Sequence, residues 1–195
     1  MDATSWKQLT LNSFPALAAL GGGAWANELS GKEPSEAWDR LAGPNSGRAY
    51  AGMAALAAVP EEAIPLLRSK LRPAPVPTDA DLDRVVRQLD SDGFADRQKA
   101  SAELERFGPN AVAGIKTRLT RVTSLEVRRQ LMRFLELYSG PEPSPYHMRC
   151  ARGAATLEAT GTADAKALLA ELAKGPAADP LTREAREATG RNGGR

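Results

Sequence analysis

The sequence has one cysteine and one histidine among 195 residues. A single cysteine excludes an intrachain disulfide framework. With a single histidine beside it, no zinc site of the usual Cys and His composition can be completed. Aromatic residues make up 5% of the chain, and the β-branched and aromatic types that favour strands are scarce, which argues against an all-β fold. Charge of one sign is lacking too: 26 Lys+Arg stand against 24 Asp+Glu, a formal net charge of +2. That balance gives no argument for a nucleic-acid or membrane partner. There is also no long hydrophobic run. The longest apolar stretch, Phe14 to Ala26 (FPALAALGGGAWA), is 13 residues broken by glycines, whereas a bilayer-spanning helix needs about 20.

A secretory leader is the alternative reading of this stretch, because Ala24-Trp25-Ala26 resembles a small-residue cleavage site. The segment ahead of it carries Asp2 as well as Lys7, and Asn12 and Pro15 interrupt the apolar core. The expectation is therefore a cytoplasmic protein whose residues 1–34 form a poorly structured lead-in.

What the chain has in abundance is alanine, 35 residues of it, and alanine is the best helix former. From Ser35 onward the text alternates helix and punctuation. Helices are expected over about 35–42, 45–59 and 61–71, with Ala49, Tyr50, Met53, Leu56 and Ala57 on one face of the second. Arg72 to Thr78 (RPAPVPT) has three prolines in seven residues and reads as an extended linker. Thr78 and Asp81 form a capping box for a helix striped by Leu82, Val85, Val86 and Leu89. A helix with Phe94, Arg97, Ala100, Leu104 and Phe107 on one face closes at Gly108-Pro109. The next helix, about 109–120, buries Val112, Ile115 and Leu119.

Thr123 and Glu126 suggest a capping box for a helix over 124–138, with Val127, Leu131, Phe134, Leu135 and Tyr138 inward. A second proline-rich break, Gly140 to Pro145, precedes a helix capped by Ser144 and ending at Gly161. Thr162 caps another with Leu168, Leu169 and Leu172 inward, and Asp179-Pro180 opens a last short helix. The fold class is all-α, about ten short helices in stacked antiparallel hairpins. Five segments follow: the lead-in 1–34, a first helical unit 35–71, a linker 72–78, a helical array 79–189, and a disordered tail 190–195.

Short amphipathic helices in alternation invite a search for internal repeats. Ala63 to Leu71 (AIPLLRSKL) aligns without gaps on Ala111 to Leu119 (AVAGIKTRL), with alanine, aliphatic, aliphatic, base, base and leucine at matching offsets. Ala165 to Ala173 is a looser third copy with Leu169 at offset 4. Leu104 and Gly108 likewise correspond to Leu157 and Gly161. A helical hairpin of this kind covers its apolar face by stacking on its neighbours.

The Asp-rich turn leading into Phe94-Ala95-Asp96-Arg97-Gln98-Lys99-Ala100, with Leu104 and Phe107-Gly108 beyond, resembles the first helix of a HEAT-like repeat. Ala63-Ile64-Pro65-Leu66-Leu67 resembles its second helix. Leu41 to Pro73 and the sequence on to about Thr189 look like the α-helical region at the C-terminus of large bacterial WD-repeat β-propeller proteins. The resemblance implies a degenerate HEAT/armadillo-like α-solenoid acting as a scaffold. Two features depart from it. Arg121 and Thr123 stand where an Asp–Arg ladder would carry acids like Asp90 and Asp92, and the residues ahead of the helices are too few for one propeller blade.

Few residues offer chemistry. His147 and Cys150 sit one helical turn apart, but Glu142 is the nearest carboxylate and no third ligand of the right type accompanies them, so neither a metal nor a Cys–His nucleophile is expected. Gly21-Gly22-Gly23 lacks the Lys-Ser/Thr of a phosphate loop. Asp79, Asp81 and Asp83 suit the positive end of a helix dipole. Catalytic residues and cofactors are expected to be none.

The basic residues Arg118, Arg121, Arg128, Arg129 and Arg133 could align as a surface ridge, with Arg129 and Arg133 pointing away from the Val127/Leu131/Leu135 stripe. Yet residues 79–140 hold 11 bases and 10 acids, and no aromatics are interleaved to stack bases. The functional expectation is a non-catalytic protein-interaction or scaffold module with a protein partner. The alternative is a nucleic-acid-binding helical repeat protein using Arg118, Arg121, Arg129 and Arg133.

Overall fold

The computed structural model describes residues 33–193. The Phe14–Ala26 stretch, Gly21-Gly22-Gly23 and all but the end of the lead-in lie outside these residues. The described chain is all helix and connection, with no strand, and it divides into two compact units. The first comprises residues up to Arg72, Pro145–Gly175 and Leu181 onward; the second comprises Pro73–Ser144 and Pro176–Pro180. The chain thus passes between units at the two proline-rich breaks, Arg72/Pro73 and Ser144/Pro145, where a helix cannot continue, and again on either side of Pro176–Pro180.

This grouping differs from a single array over 79–189: the helices from Pro145 onward build their core with the helices within residues 34–70. Packing, which sequence proximity does not decide, is the reason.

The first unit contains α1 (Pro34–Arg40), α2 (Ser46–Ala58), α3 (Pro60–Lys70), α8 (Pro145–Thr160), α9 (Ala163–Leu172) and α10 (Pro180–Gly193, its first residue belonging to the second unit). Helix α2 is capped by Asn45, whose side chain accepts from the Arg48 N–H at 2.9 Å, satisfying one of the donors that a helix start leaves without partners. It packs on α1 and α8, and α9 packs on α8 and α3.

Gly52 makes the α1–α2 approach possible, since a Cβ there would lie 2.6 Å from the Ala37 carbonyl oxygen. The core joins Trp38, Leu41, Met53, Leu56, Leu67 and Leu71 to Cys150, Ala154, Leu157, Leu168, Leu169 and Leu172. Leu181, Ala185 and Ala188, at i, i+4 and i+7 of α10, complete it.

The last helix does not stop at Gly190. Helix α10 continues to Gly193, and Arg191 on it donates to both carboxylate oxygens of Glu158 on α8, at 2.9 and 2.7 Å. A bidentate pair of this kind fixes geometry as well as charge.

The second unit contains α4 (Asp79–Leu89), α5 (Phe94–Phe107), a 3-10 turn (Gly108–Ala111), α6 (Val112–Leu119) and α7 (Leu125–Ser139). Helices α4 and α5 pack together, as do α6 and α7. Residues 71–78 form no regular secondary structure, but the segment is pinned. The Ala74 N–H donates to Asp179 Oδ2 at 2.9 Å, and its carbonyl accepts from Asn110 Nδ2 at 2.7 Å. Thr78 and Asp81 form the expected reciprocal capping box.

Gly108 takes a φ of +51° between α5 and the 3-10 turn, a conformation that favours glycine. The core is Leu82, Val85, Leu89, Ala100, Leu104, Phe107, Ala111, Ile115, Val127, Leu131 and Phe134, with Val112, Leu119, Leu135 and Tyr138 partly buried around it.

Two sequence expectations fail here for local reasons. Phe94 is 71% exposed, because it is the first residue of α5 and the buried face begins only at Ala100. Helix α7 is capped at Ser124, with no side-chain cap bond, so Thr123 and Glu126 do not make a capping box.

Candidate interaction surface

The proposed arginine ridge divides in the structure. Arg118, near the end of α6, is tied down: its guanidinium donates to Asp83 Oδ1 at 2.7 Å, to Asp79 Oδ1 at 3.1 Å, and to the Asp79 carbonyl at 2.8 Å. Its side chain is 14% exposed. Burial, the largest influence on it, opposes the charge. The bonds to Asp83 and Asp79 outweigh it, and the guanidinium pKa stands above its ordinary value. Arg118 therefore joins α6 to the first turn of α4 and is withdrawn from the ridge.

Arg121, Arg129 and Arg133 are exposed. The first lies in the α6–α7 connection, the others on the outer face of α7. Arg128 is exposed too and donates to the Val122 carbonyl at 2.9 Å, which closes the connection without neutralising the charge.

Helix α7 presents a second kind of residue beside these bases. Leu125 is 62% exposed and Met132 56%. They lie seven residues apart, so with Arg129 between them they share one face. Val127, Leu131 and Phe134 occupy the opposite, buried face. Leu137, also exposed, edges a shallow groove between α5 and α7. Its lining includes Ser101, Glu105, Gln130 and Arg133, with Leu104 and Phe134 of the core beneath. Glu126 at one end already accepts from Gln130 Nε2 at 3.1 Å. Sequence reading found the arginines of this surface but missed Leu125 and Met132. Their signal was present: two large apolar residues outside the 3.6-residue stripe of an otherwise clean amphipathic helix.

Elsewhere charge is used for construction. On α4, Arg84 donates to both oxygens of Glu103 on α5, at 2.6 and 2.9 Å, and to Asp81 at 3.2 Å. The bond from Arg84 holds the Glu103 carboxyl below its usual range, and the bonds from Thr78 do the same for Asp81.

In the first unit, Arg152 of α8 is 9% exposed and donates to the carbonyls of Leu41 and Gly43, both at 2.7 Å. Burial lowers its pKa. It caps the C-terminal end of α1, where carbonyls lack intrahelical partners. Nothing in the local sequence of α8 announces that role.

Cys150 is buried, in the first-unit core, and His147 stands edge-on to Tyr146 with ring centroids 6.4 Å apart. The pair belongs to the packing of α8. Among the described residues, no three His, Cys, Asp or Glu side chains are grouped as a metal site, and no helix is long and apolar enough to cross a membrane. Compared with known proteins, the chain matches no family model, no curated protein and no solved structure.

Proposed function

We propose that the chain is a non-catalytic protein-interaction or scaffold module, built on degenerate HEAT-like helical repeats of the kind appended to bacterial β-propeller proteins. The repeat reading is supported by burial at the aligned offsets. Ala63, Ala111 and Ala165 are each at most 2% exposed, and so are Leu67, Ile115 and Leu169 four residues on. Three segments thus bury the same two positions, Ala111 at the end of the 3-10 turn and the others within helices, as stacked hairpins would.

The interaction reading is carried by the outer face of α7, where Leu125 and Met132 stand in solvent among exposed arginines. Large apolar side chains beside Arg, on a rigid helix, are the composition of a protein-binding surface. Charged clusters among the described residues, such as Arg84 with Glu103, Arg118 with Asp79 and Asp83, and Arg191 with Glu158, join helix to helix.

The nucleic-acid alternative draws on Arg121, Arg129 and Arg133. It is weakened by the loss of Arg118 to its two aspartates and by the apolar residues set into the ridge. The two readings separate in one experiment. Affinity capture of the tagged full chain, after nuclease treatment of the extract, is expected to retain a discrete stoichiometric protein. Gel shifts with single-stranded and duplex oligonucleotides are expected to show no complex even at about 50 mM salt, where phosphate contacts are strongest. A salt-sensitive shift with no captured protein would replace the module reading by the nucleic-acid one.

A further inference from the structure

The bases around Leu125 and Met132 differ from most other arginines of the second unit. Arg87, exposed and bonded to the Asp83 carbonyl with no carboxylate partner among the described residues, is like them but stands apart on α4. Arg84 and Arg118 are each matched by carboxylates, and Arg97 is folded back on the carbonyls of Ser91 and Asp92. Arg121, Arg128, Arg129 and Arg133 have no carboxylate partner among the described residues. On α7 only Glu126 and Glu136 oppose them, and Glu126 is engaged by Gln130. A local surplus of positive charge therefore surrounds an apolar pair, although residues 79–140 as a whole are close to neutral.

Resting on the interaction-module reading, we infer that the outer face of α7 docks an acidic amphipathic helix of a partner protein. Leu125 and Met132 would take its apolar stripe, and Arg121, Arg128, Arg129 and Arg133 its flanking carboxylates.

The occupant follows from what each candidate could satisfy. A phosphate backbone would meet the arginines but leave Leu125 and Met132 against water or charge, and no aromatic side chain on this face offers a platform for a base. A second copy of the same face would set Arg129 and Arg133 against their own like charges. An acidic amphipathic helix meets both requirements at once. Its apolar residues at i, i+3, i+4 and i+7 cover the seven-residue span from Leu125 to Met132, while its glutamates reach the bases on either side. Long arginine side chains suit this role because their charged ends can follow a partner while their stems extend the apolar contact.

The test uses the intact chain and three labelled synthetic helices read by fluorescence anisotropy. One has a leucine stripe flanked by glutamates, the second the same stripe flanked by lysines, and the third the glutamates with serine in place of leucine. The first is expected to bind at least about tenfold more tightly than either other. Met132→Ser, and separately Arg129→Glu with Arg133→Glu, are each expected to weaken it by about tenfold or more, as central anchors of an interface do. Their circular-dichroism melts should match the wild type.

Equal binding of all three helices, indifference to the variants, or displacement of the acidic helix by an oligonucleotide would overturn the inference. So would self-association of the wild-type chain in sedimentation that Met132→Ser abolishes. If the protein captured in the preceding experiment stays bound to the Arg129→Glu/Arg133→Glu variant, this docking face fails while the module reading stands. If no protein is captured at all, the module reading itself fails.

Discussion

An arginine in this protein is worth what its surroundings make of it, and the extremes are Arg152 and Arg129. Arg152 is almost fully buried, and its guanidinium replaces water at the carbonyls of Leu41 and Gly43. Truncating it would strand two acceptors in a packed region, where each lost partner costs about 1–3 kcal/mol. Arg152→Ala is expected to destabilise the chain by roughly 2–4 kcal/mol in urea denaturation. Arg129 is exposed on the side of α7 away from its buried residues, so Arg129→Ala should fall within about 0.5 kcal/mol of the wild type. Similar losses at both positions would mean that α8 does not hold the end of α1 through this side chain. The contrast could not be read from sequence, because the partners of Arg152 lie more than a hundred residues away.

Within a helix, much of the structure is legible because its causes are local. Thr78 and Thr162 reveal themselves as caps by side-chain chemistry and three-residue spacing, and both act as such. The stripe of α7 is legible in its centre: Val127, Leu131 and Phe134 are buried, whereas Leu135 and Tyr138 at its margin are covered only in part. Leu131→Ala is therefore expected to cost about 2–5 kcal/mol as a full large-to-small core change. Leu135→Ala should cost measurably less, and thermal melts of the two variants would order them. Equal losses would put the centre of the buried face nearer Leu135.

Contacts between helices resist the same treatment. Arg118 reads as surface on its own helix because Asp83 and Asp79, 35 and 39 residues earlier, are brought to it only by folding.

The α4–α5 pair also sets a pH dependence. Glu103 and Asp81 hold depressed pKa values in the folded chain, against about 4.3 and 3.9 when unfolded. A carboxylate of this kind adds stability at pH values above its unfolded pKa, and that stability is lost as the pH falls through the folded value. Glu103→Gln should thus lower the Tm by a constant amount between about pH 7 and 5, and the difference should shrink below about pH 4. The effect will be modest, since Arg84 is partly exposed to screening water. A Tm gap that persists unchanged to pH 3 would show that Glu103 acts by packing and not by its charge.

At the scale of the whole chain, the two proline-rich breaks and the helices beyond them are visible in the sequence, but what those helices pack against is not. Proline marks where a helix must stop and carries no information on which surface the next helix will cover. Helices α8, α9 and α10 have apolar faces that would suit any helical neighbour, and the choice is made by fit: Gly52 lets α1 close on α2, and α8 then packs against α2. The first-unit core is consequently shared between two distant stretches, with Trp38, Leu41, Leu56 and Leu67 on one side and Leu157, Leu168, Leu169 and Leu181 on the other. Neither stretch buries its own apolar surface alone, and that burial is the main term opposing the entropy of an ordered chain.

A fragment ending at Thr78 holds α1, α2 and α3 whole. It is nevertheless expected to lack a cooperative thermal transition and to show broad, poorly dispersed amide resonances. Adding residues 145–195 as a separate polypeptide should restore helicity and sharpen the spectrum, because it supplies the missing half of the core. A fragment that folds cooperatively by itself would show that residues 35–71 form an autonomous unit, and that α8 to α10 merely cover a core already made.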